Sequence, residues 1–268
     1  MSDLALFFHS VKLPVMSEVA HSLIRTLNDE DVSVTQVRNV IAKDPSLTAR
    51  LLRLANSASF GLSRKIGSLD EAVALIGMSQ VRALALSAGL NTAFPVVAGL
   101  DRKAFWDNCM ACAGYSQWLA GSLGMDRQQA WLSGLMLRLG ELLIGQVNPD
   151  RIAQIEAQPQ VPGERWEREL KLLGFTEGEM TGELARHWKF PDEMARGLET
   201  CAKPMLAKPF SPLGGVIHLS ALLADMPGCG PDAVETLPID VMGKLQLNVD
   251  WMQGRFPSPD TFLDISTS

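Results

Sequence analysis

Helix punctuation constrains this chain more than any other feature. Ser33 with Gln36, Ser68 with Glu71 and Thr176 with Glu179 each match the capping box, in which a hydroxyl and an acid or amide satisfy amides left open at a helix start. Asp44-Pro45, Asn148-Pro149 and Pro191 are further starts, because proline fits the first turn where no amide hydrogen is needed. Gly77, Gly124 and Gly174 fall where a helix must stop. Between these marks apolar residues recur at helical spacing, as in Val19, Leu23, Ile24 and Leu27, or Leu47, Leu51, Leu54 and Ala55. No stretch alternates convincingly like a half-buried strand. The expected fold class is therefore all-α.

The marks predict a helix opened by Leu13-Pro14, helices after Ser33, Asp44 and Ser68, and one from Ser79 to about Asn91. Residues 94–101, with Pro95 and Gly99, read as a hinge between a smaller N-terminal lobe, 10–93, and a larger lobe, 102–225. The second lobe should contain helices over 102–123 and 127–146, a short one after Pro149, then 165–173, 176–188, 191–201 and an apolar stretch over 209–225. Residues 226–268 form an extension with a short helix near Asp240 to Leu247.

The 268 residues are 47% hydrophobic and 20% charged, which suits a globular chain with a sizeable core. Leu132 to Val147 is the longest apolar stretch; Arg138 and Glu141 interrupt it, and it is shorter than the roughly 20 residues that cross a bilayer. The Met-Ser-Asp start lacks the basic and apolar regions of an export signal, and four cysteines make no disulfide framework, so a reducing cytoplasm is expected. Residues 1–95 hold nine Lys/Arg and eight Asp/Glu, whereas residues 96–268 hold 15 and 22. That acidic balance argues against nucleic acid as a partner. Only the segment Lys43–Lys65 is locally basic, with Lys43, Arg50, Arg53, Arg64 and Lys65 against Asp44. It is either a solvated helix face or a patch for an anion or protein partner.

Several motifs dissolve on inspection. Gly228-Cys229-Gly230-Pro231-Asp232-Ala233 has the spacing of a dinucleotide loop, but a helix precedes it and Pro231 removes an amide, so it reads as a turn. Cys109 and Cys112 lie inside a helix among small apolar residues, which suits packing better than zinc. The acid pairs Glu167/Glu169 and Glu177/Glu179 are what any acidic helix produces. His9, His21, His187 and His218 complete the supply of imidazoles.

One stretch is specific. Leu13-Pro14, then Asp44-Pro45-Ser46-Leu47-Thr48-Ala49-Arg50-Leu51-Leu52-Arg53-Leu54-Ala55-Asn56-Ser57-Ala58, then Ile66, Ala72 and Ile76-Gly77 resemble the N-terminal half of an HDOD domain, the HD-related output domain. The likeness continues more weakly through Phe105-Trp106, Gly134-Leu135, Leu139-Gly140, Leu184-Ala185, Trp188 and Pro191, and covers most of residues 10–225. Physically, Asp44 can cap the helix that Pro45 begins, Leu47 and Leu51 bury one face, and Asn56 and Ser57 can bond open backbone at its end. Arg50 and Arg53 should lie outward.

The resemblance implies a two-lobed helical fold related to metal-dependent phosphohydrolases of the HD superfamily, whose ions are held by His and Asp. It places Asn108, Leu137, Arg138, Cys201 and Ala202 at the ligand positions, with Ala221 near the last Asp. An apolar Leu and a cation replace the His-Asp pair, so neither metal, cofactor nor catalysis of that type is expected. The implied role is a non-catalytic bacterial signalling module with protein partners. Two rivals stand beside it. In one, the degenerate cleft admits a nucleotide or cyclic dinucleotide that Arg138 grips, against the plainer reading that Arg138 pairs with an acid such as Glu141. In the other, His187 or His218 with Asp225 rebuilds a phosphohydrolase site.

Overall fold

A computed structural model describes residues 3–27, 31–56, 63–94, 100–158, 161–226, 228–258 and 262. It is 73% helical, and among the described residues there is no strand. The N-terminal helices are α1 (Asp3–Ser10), α2 (Glu18–Leu27), α3 (Val34–Ala42), α4 (Pro45–Ala55), α5 (Leu69–Ile76) and α6 (Met78–Ala93). Then come α7 (Arg102–Ser122), α8 (Arg127–Met136), α9 (Leu139–Val147), α10 (Pro149–Glu156), α11 (Glu164–Leu173), α12 (Glu177–His187), α13 (Asp192–Thr200) and α14 (Pro212–Ala224). A 3-10 turn, Pro204–Leu206, precedes α14; a second, Pro231–Thr236, leads into α15 (Ile239–Leu245) and α16 (Val249–Gly254). Among the described residues no helix is long and apolar enough to cross a membrane.

Local chemistry sets many of these boundaries. Ser33 and Thr176 each complete a reciprocal capping box. Asp44 accepts from the Leu47 amide ahead of Pro45, and Gly77, at φ +85°, turns the chain from α5 into α6. Leu47, Leu51, Leu54 and Ala55 are the buried face of α4, which packs on α6. Most of α14 is buried, and it lies against α7, α8 and α13.

Three boundaries differ from the sequence expectation. The first full helix does not open at Leu13-Pro14, because Ser17 caps the helix further on by accepting from the Ala20 amide, and α2 starts at Glu18. The unanticipated α1 packs against α12, with Phe7 beside Phe175 at 5.2 Å and Phe8 beside His187 at 6.2 Å. The helix expected over 127–146 is two helices, broken at Leu137 and Arg138. The cause lies far away in sequence. The Thr181 hydroxyl accepts from the Gly140 amide at 2.8 Å and donates to the Leu137 carbonyl at 2.8 Å, so the groups opened by the break are satisfied from α12. Gly140 permits that approach, since a Cβ there would sit 2.2 Å from the Glu177 carbonyl oxygen. Of the expected hinge only Phe94, Leu100 and Asp101 are described; residues 95–99 lie outside the described residues.

A buried ionic network as the candidate functional site

The break between α8 and α9 points Arg138 into the space between α7, α12 and α14. Its side chain is only 7% exposed. Nε donates to Asn108 Oδ1 at 2.5 Å, Nη1 meets Glu177 Oε1 at 3.1 Å, and Nη2 pairs with Asp225 Oδ1. Asn108 also donates to Asp225 Oδ1 at 3.2 Å and to the Ala224 carbonyl at 3.1 Å, closing a ring of polar contacts. A second guanidinium stands behind the first. Arg165 Nε donates to Glu169 at 3.0 Å and lies 3.4 Å from Glu177 Oε2, while its Nη1 pairs with Glu156. Arg165 Nη2 lies 3.2 Å from Glu141 Oε2 without hydrogen-bond alignment. Glu177 thus bridges the two cations.

Burial opposes both guanidinium charges, but Glu177 and Asp225 around Arg138, and Glu141, Glu177 and Glu169 around Arg165, outweigh it and push both pKa values up. The network holds two cations against five carboxyl groups. Protons relieve the excess. Burial lifts Glu141 to about 7 and Glu169 to about 8, with Glu177 adding to both and Arg165 opposing. Glu169 also accepts from the Glu177 amide at 2.8 Å.

The remaining ligand-position residues are apolar or weakly polar. Leu137, Cys201 and Ala221 are buried, and Ala202 is half-buried. Burial raises the thiols of Cys109 and Cys201 well above their ordinary range and lifts Cys112 to about 12, so all three are held neutral. A guanidinium at the centre of this donor set does not fit a metal ion there. Among the described residues no group of three or more His, Cys, Asp or Glu side chains is placed to hold one.

The acid that meets Arg138 is not Glu141, which faces Arg165 instead. The break turns α9 so that Arg138 reaches across to α12 and to the end of α14. His187, His218 and Asp225 do not converge: His187 faces Phe8, Asp225 holds Arg138, and His218 stacks on Trp166 at 5.1 Å with Nδ1 2.7 Å from the Cys201 carbonyl. Burial also lowers the His218 pKa. Glu169 and Glu177, dismissed in the sequence as acid pairs, are fully buried partners. The signal available was the Arg165–Glu169 spacing of one helical turn.

The basic segment divides. Arg53 and Lys65 are exposed, and Arg64 pairs with Glu71 at 2.9 Å. Arg50 is half-buried rather than outward, because α6 offers it the Ala88 carbonyl and the Thr92 hydroxyl. Asn56 works on backbone. It donates to the Leu52 carbonyl at 2.7 Å and the Ile66 carbonyl at 2.9 Å, and it accepts from the Ile66 amide at 2.7 Å. Ser57 and Ala58 lie outside the described residues. Gly228, at φ +73°, sits in a turn, and Pro231 starts the second 3-10 turn.

The HDOD domain family matches residues 13–204 of this chain. The chain belongs to the HDOD family. Among solved structures, a candidate phosphohydrolase from Shewanella amazonensis SB2B is 30% identical, with TM-score 0.76, over 94% of this chain and 95% of that one. An HDOD domain protein of unknown function from Geobacter sulfurreducens is 20% identical, with TM-score 0.76, over 91% and 87%. A candidate signal transduction protein from Marinobacter aquaeolei VT8 is 21% identical, with TM-score 0.79, over 95% and 61%. The last two likenesses speak to the HDOD fold. An uncharacterized protein of Treponema pallidum (strain Nichols) is 23% identical over 185 residues, which are 67% of this chain and 36% of that relative's length.

Proposed function

We propose that this HDOD protein is a non-catalytic regulatory module that works through protein contacts in the cytoplasm. One observation carries the reading: where the enzymes of the HD superfamily would hold a cation with His and Asp, this chain supplies its own cation, Arg138, already paired with Glu177 and Asp225. A site saturated by internal ion pairs has neither an open coordination position nor a free base. Purified protein assayed with manganese and a phosphodiester should give no turnover above buffer. Turnover that disappears in Asp225→Asn would overturn the reading. Affinity capture from the native cell should return a reproducible partner that also binds the purified protein.

A receptor for a small anion is the second reading, and it moves away from Arg138. A shallow, open cleft lies between α6, α8 and α13, lined by Arg82, Asp126, Gln128, Gln129, Pro191 and Met194 among others. Arg82 is its cation; burial lowers the Arg82 pKa, Asp126 opposes this, and Nη1 donates to the Thr26 carbonyl at 2.8 Å. Calorimetry with cyclic dinucleotides and guanosine nucleotides tests this, and binding unchanged in Arg82→Ala would remove the cleft from consideration.

A further inference from the structure

Three large apolar side chains stay exposed at one junction of this acidic half. The 3-10 turn Pro204–Leu206 packs against α15, and there Met205 is 42%, Leu206 72% and Ile239 83% exposed. Both elements are anchored from beneath. Pro204 is buried, the Leu206 amide donates to the Lys203 carbonyl at 3.0 Å, and α15 buries Val241, Met242 and Leu245. The exposed side chains are thus held out by a fixed frame. Lys203 and Lys208 flank the turn in sequence and Lys244 lies on α15, all three exposed, and Lys244 Nζ stands 5.9 Å from the centroid of the Phe210 ring. Asp240 is the acid beside Ile239, and its carboxylate already accepts from the Val241 amide.

Single exposed apolar residues are ordinary; a cluster with three lysines and one acid as its charged neighbours has the pattern of an interaction site with a net positive rim. The sign is informative, because residues 96–268 as a whole carry 15 Lys/Arg against 22 Asp/Glu. We propose that the junction of the Pro204–Leu206 turn with α15 docks an acidic, amphipathic segment of a partner protein. Apolar anchors of that segment would cover Leu206 and Ile239, while its carboxylates meet the three lysines. A second copy of this chain fits poorly, since a two-fold contact would set lysine against lysine. An anionic bilayer also fits poorly, because the chain's net charge of −6 is repelled by it. The family match ends at Pro204, so the surface joins the end of the matched segment to Ile239 of the extension.

This inference rests on the reading of the chain as a protein-contact module, and the two can fail separately. A displayed library of random peptides is panned against the full chain and, in parallel, against Leu206→Glu/Ile239→Glu. Both replaced side chains are largely exposed, so the variant should keep the unfolding midpoint of the parent. The expected winners carry Leu, Ile or Phe at helical spacing with flanking Asp and Glu. They should bind the variant at least about tenfold more weakly, as the loss of a central anchor implies, and weaken with salt. No enrichment, neutral or basic winners, or winners that ignore the variant would overturn the inference. So would phosphatidylserine vesicles, or self-association in sedimentation, proving to be what the variant abolishes. A native partner captured equally by parent and variant would sink this surface and leave the protein-contact reading standing. Capture of no reproducible partner would sink the reading itself.

Discussion

The segment Lys43–Lys65 and the seam where α7, α9, α12 and α14 meet are both charged, and the fold treats them oppositely. In the first, Arg53 and Lys65 stand in water and Arg64 has a partner seven residues away. In the second, Arg138 is buried and its carboxylates come from 39 and 87 residues along the chain. Exposed pairs are screened and contribute little, whereas buried ones repay their desolvation only if every member is present. The seam therefore fixes which helices meet, whereas the basic segment leaves Arg53 and Lys65 exposed to solvent.

The sharpest test of that contrast is Arg138→Leu. It leaves Asp225 and Glu177 without their nearest cation and should cost about 3–5 kcal/mol in urea unfolding, the range for breaking a buried pair. A cost below about 1 kcal/mol would mean that the seam is no more demanding than a surface pair.

A smaller effect concerns the parent chain. Folded Glu141 and Glu169 hold protons up to about 7 and about 8, above the 4.5 of a free carboxyl. The folded state binds more protons in that window, so their contribution is complete below it and is lost as pH rises through 7 to 8. Urea midpoints should fall with rising pH there, and Glu169→Gln should flatten the fall. An unchanged slope would remove Glu169 from the titrating network. In the N-terminal helices the counterpart is Asn56→Ala, which strips three hydrogen bonds to backbone, two that tie the end of α4 to Ile66 and one to Leu52 within α4. It should cost about 1–2 kcal/mol with no change in pH slope.

What could be read in the sequence follows the same division. The caps at Ser33, Asp44 and Thr176 and the stop at Gly77 are settled within four residues, and they stand where the sequence places them. The break at Leu137 and Arg138 is not local, since Thr181 satisfies it from another helix. Nor are the partners of Arg138: Glu141 is the nearest acid in sequence, but the turn of the break aims the side chain elsewhere. Glu177 and Glu169 look like surface acids until α11, α12 and α9 are brought together. The helix α1 was missed for a related reason, because Phe7 and Phe8 find their aromatic partners only on the segment around α12.

The smallest expected effect sharpens the comparison most finely, because it lies within one helix. Arg50 and Arg53 are neighbours on α4, yet only Arg50 reaches Ala88 and Thr92 of α6. Arg53→Ala with Lys65→Ala should leave stability within about 0.5 kcal/mol of the parent, as replacements of solvated side chains usually do. Arg50→Ala should cost measurably more, through contacts that hold α4 to α6. If the double variant proved as destabilising as Arg50→Ala, the segment would be a structural seam like that around Arg138. If Arg50→Ala were equally silent, its bonds to α6 would be worth no more than the water they replace.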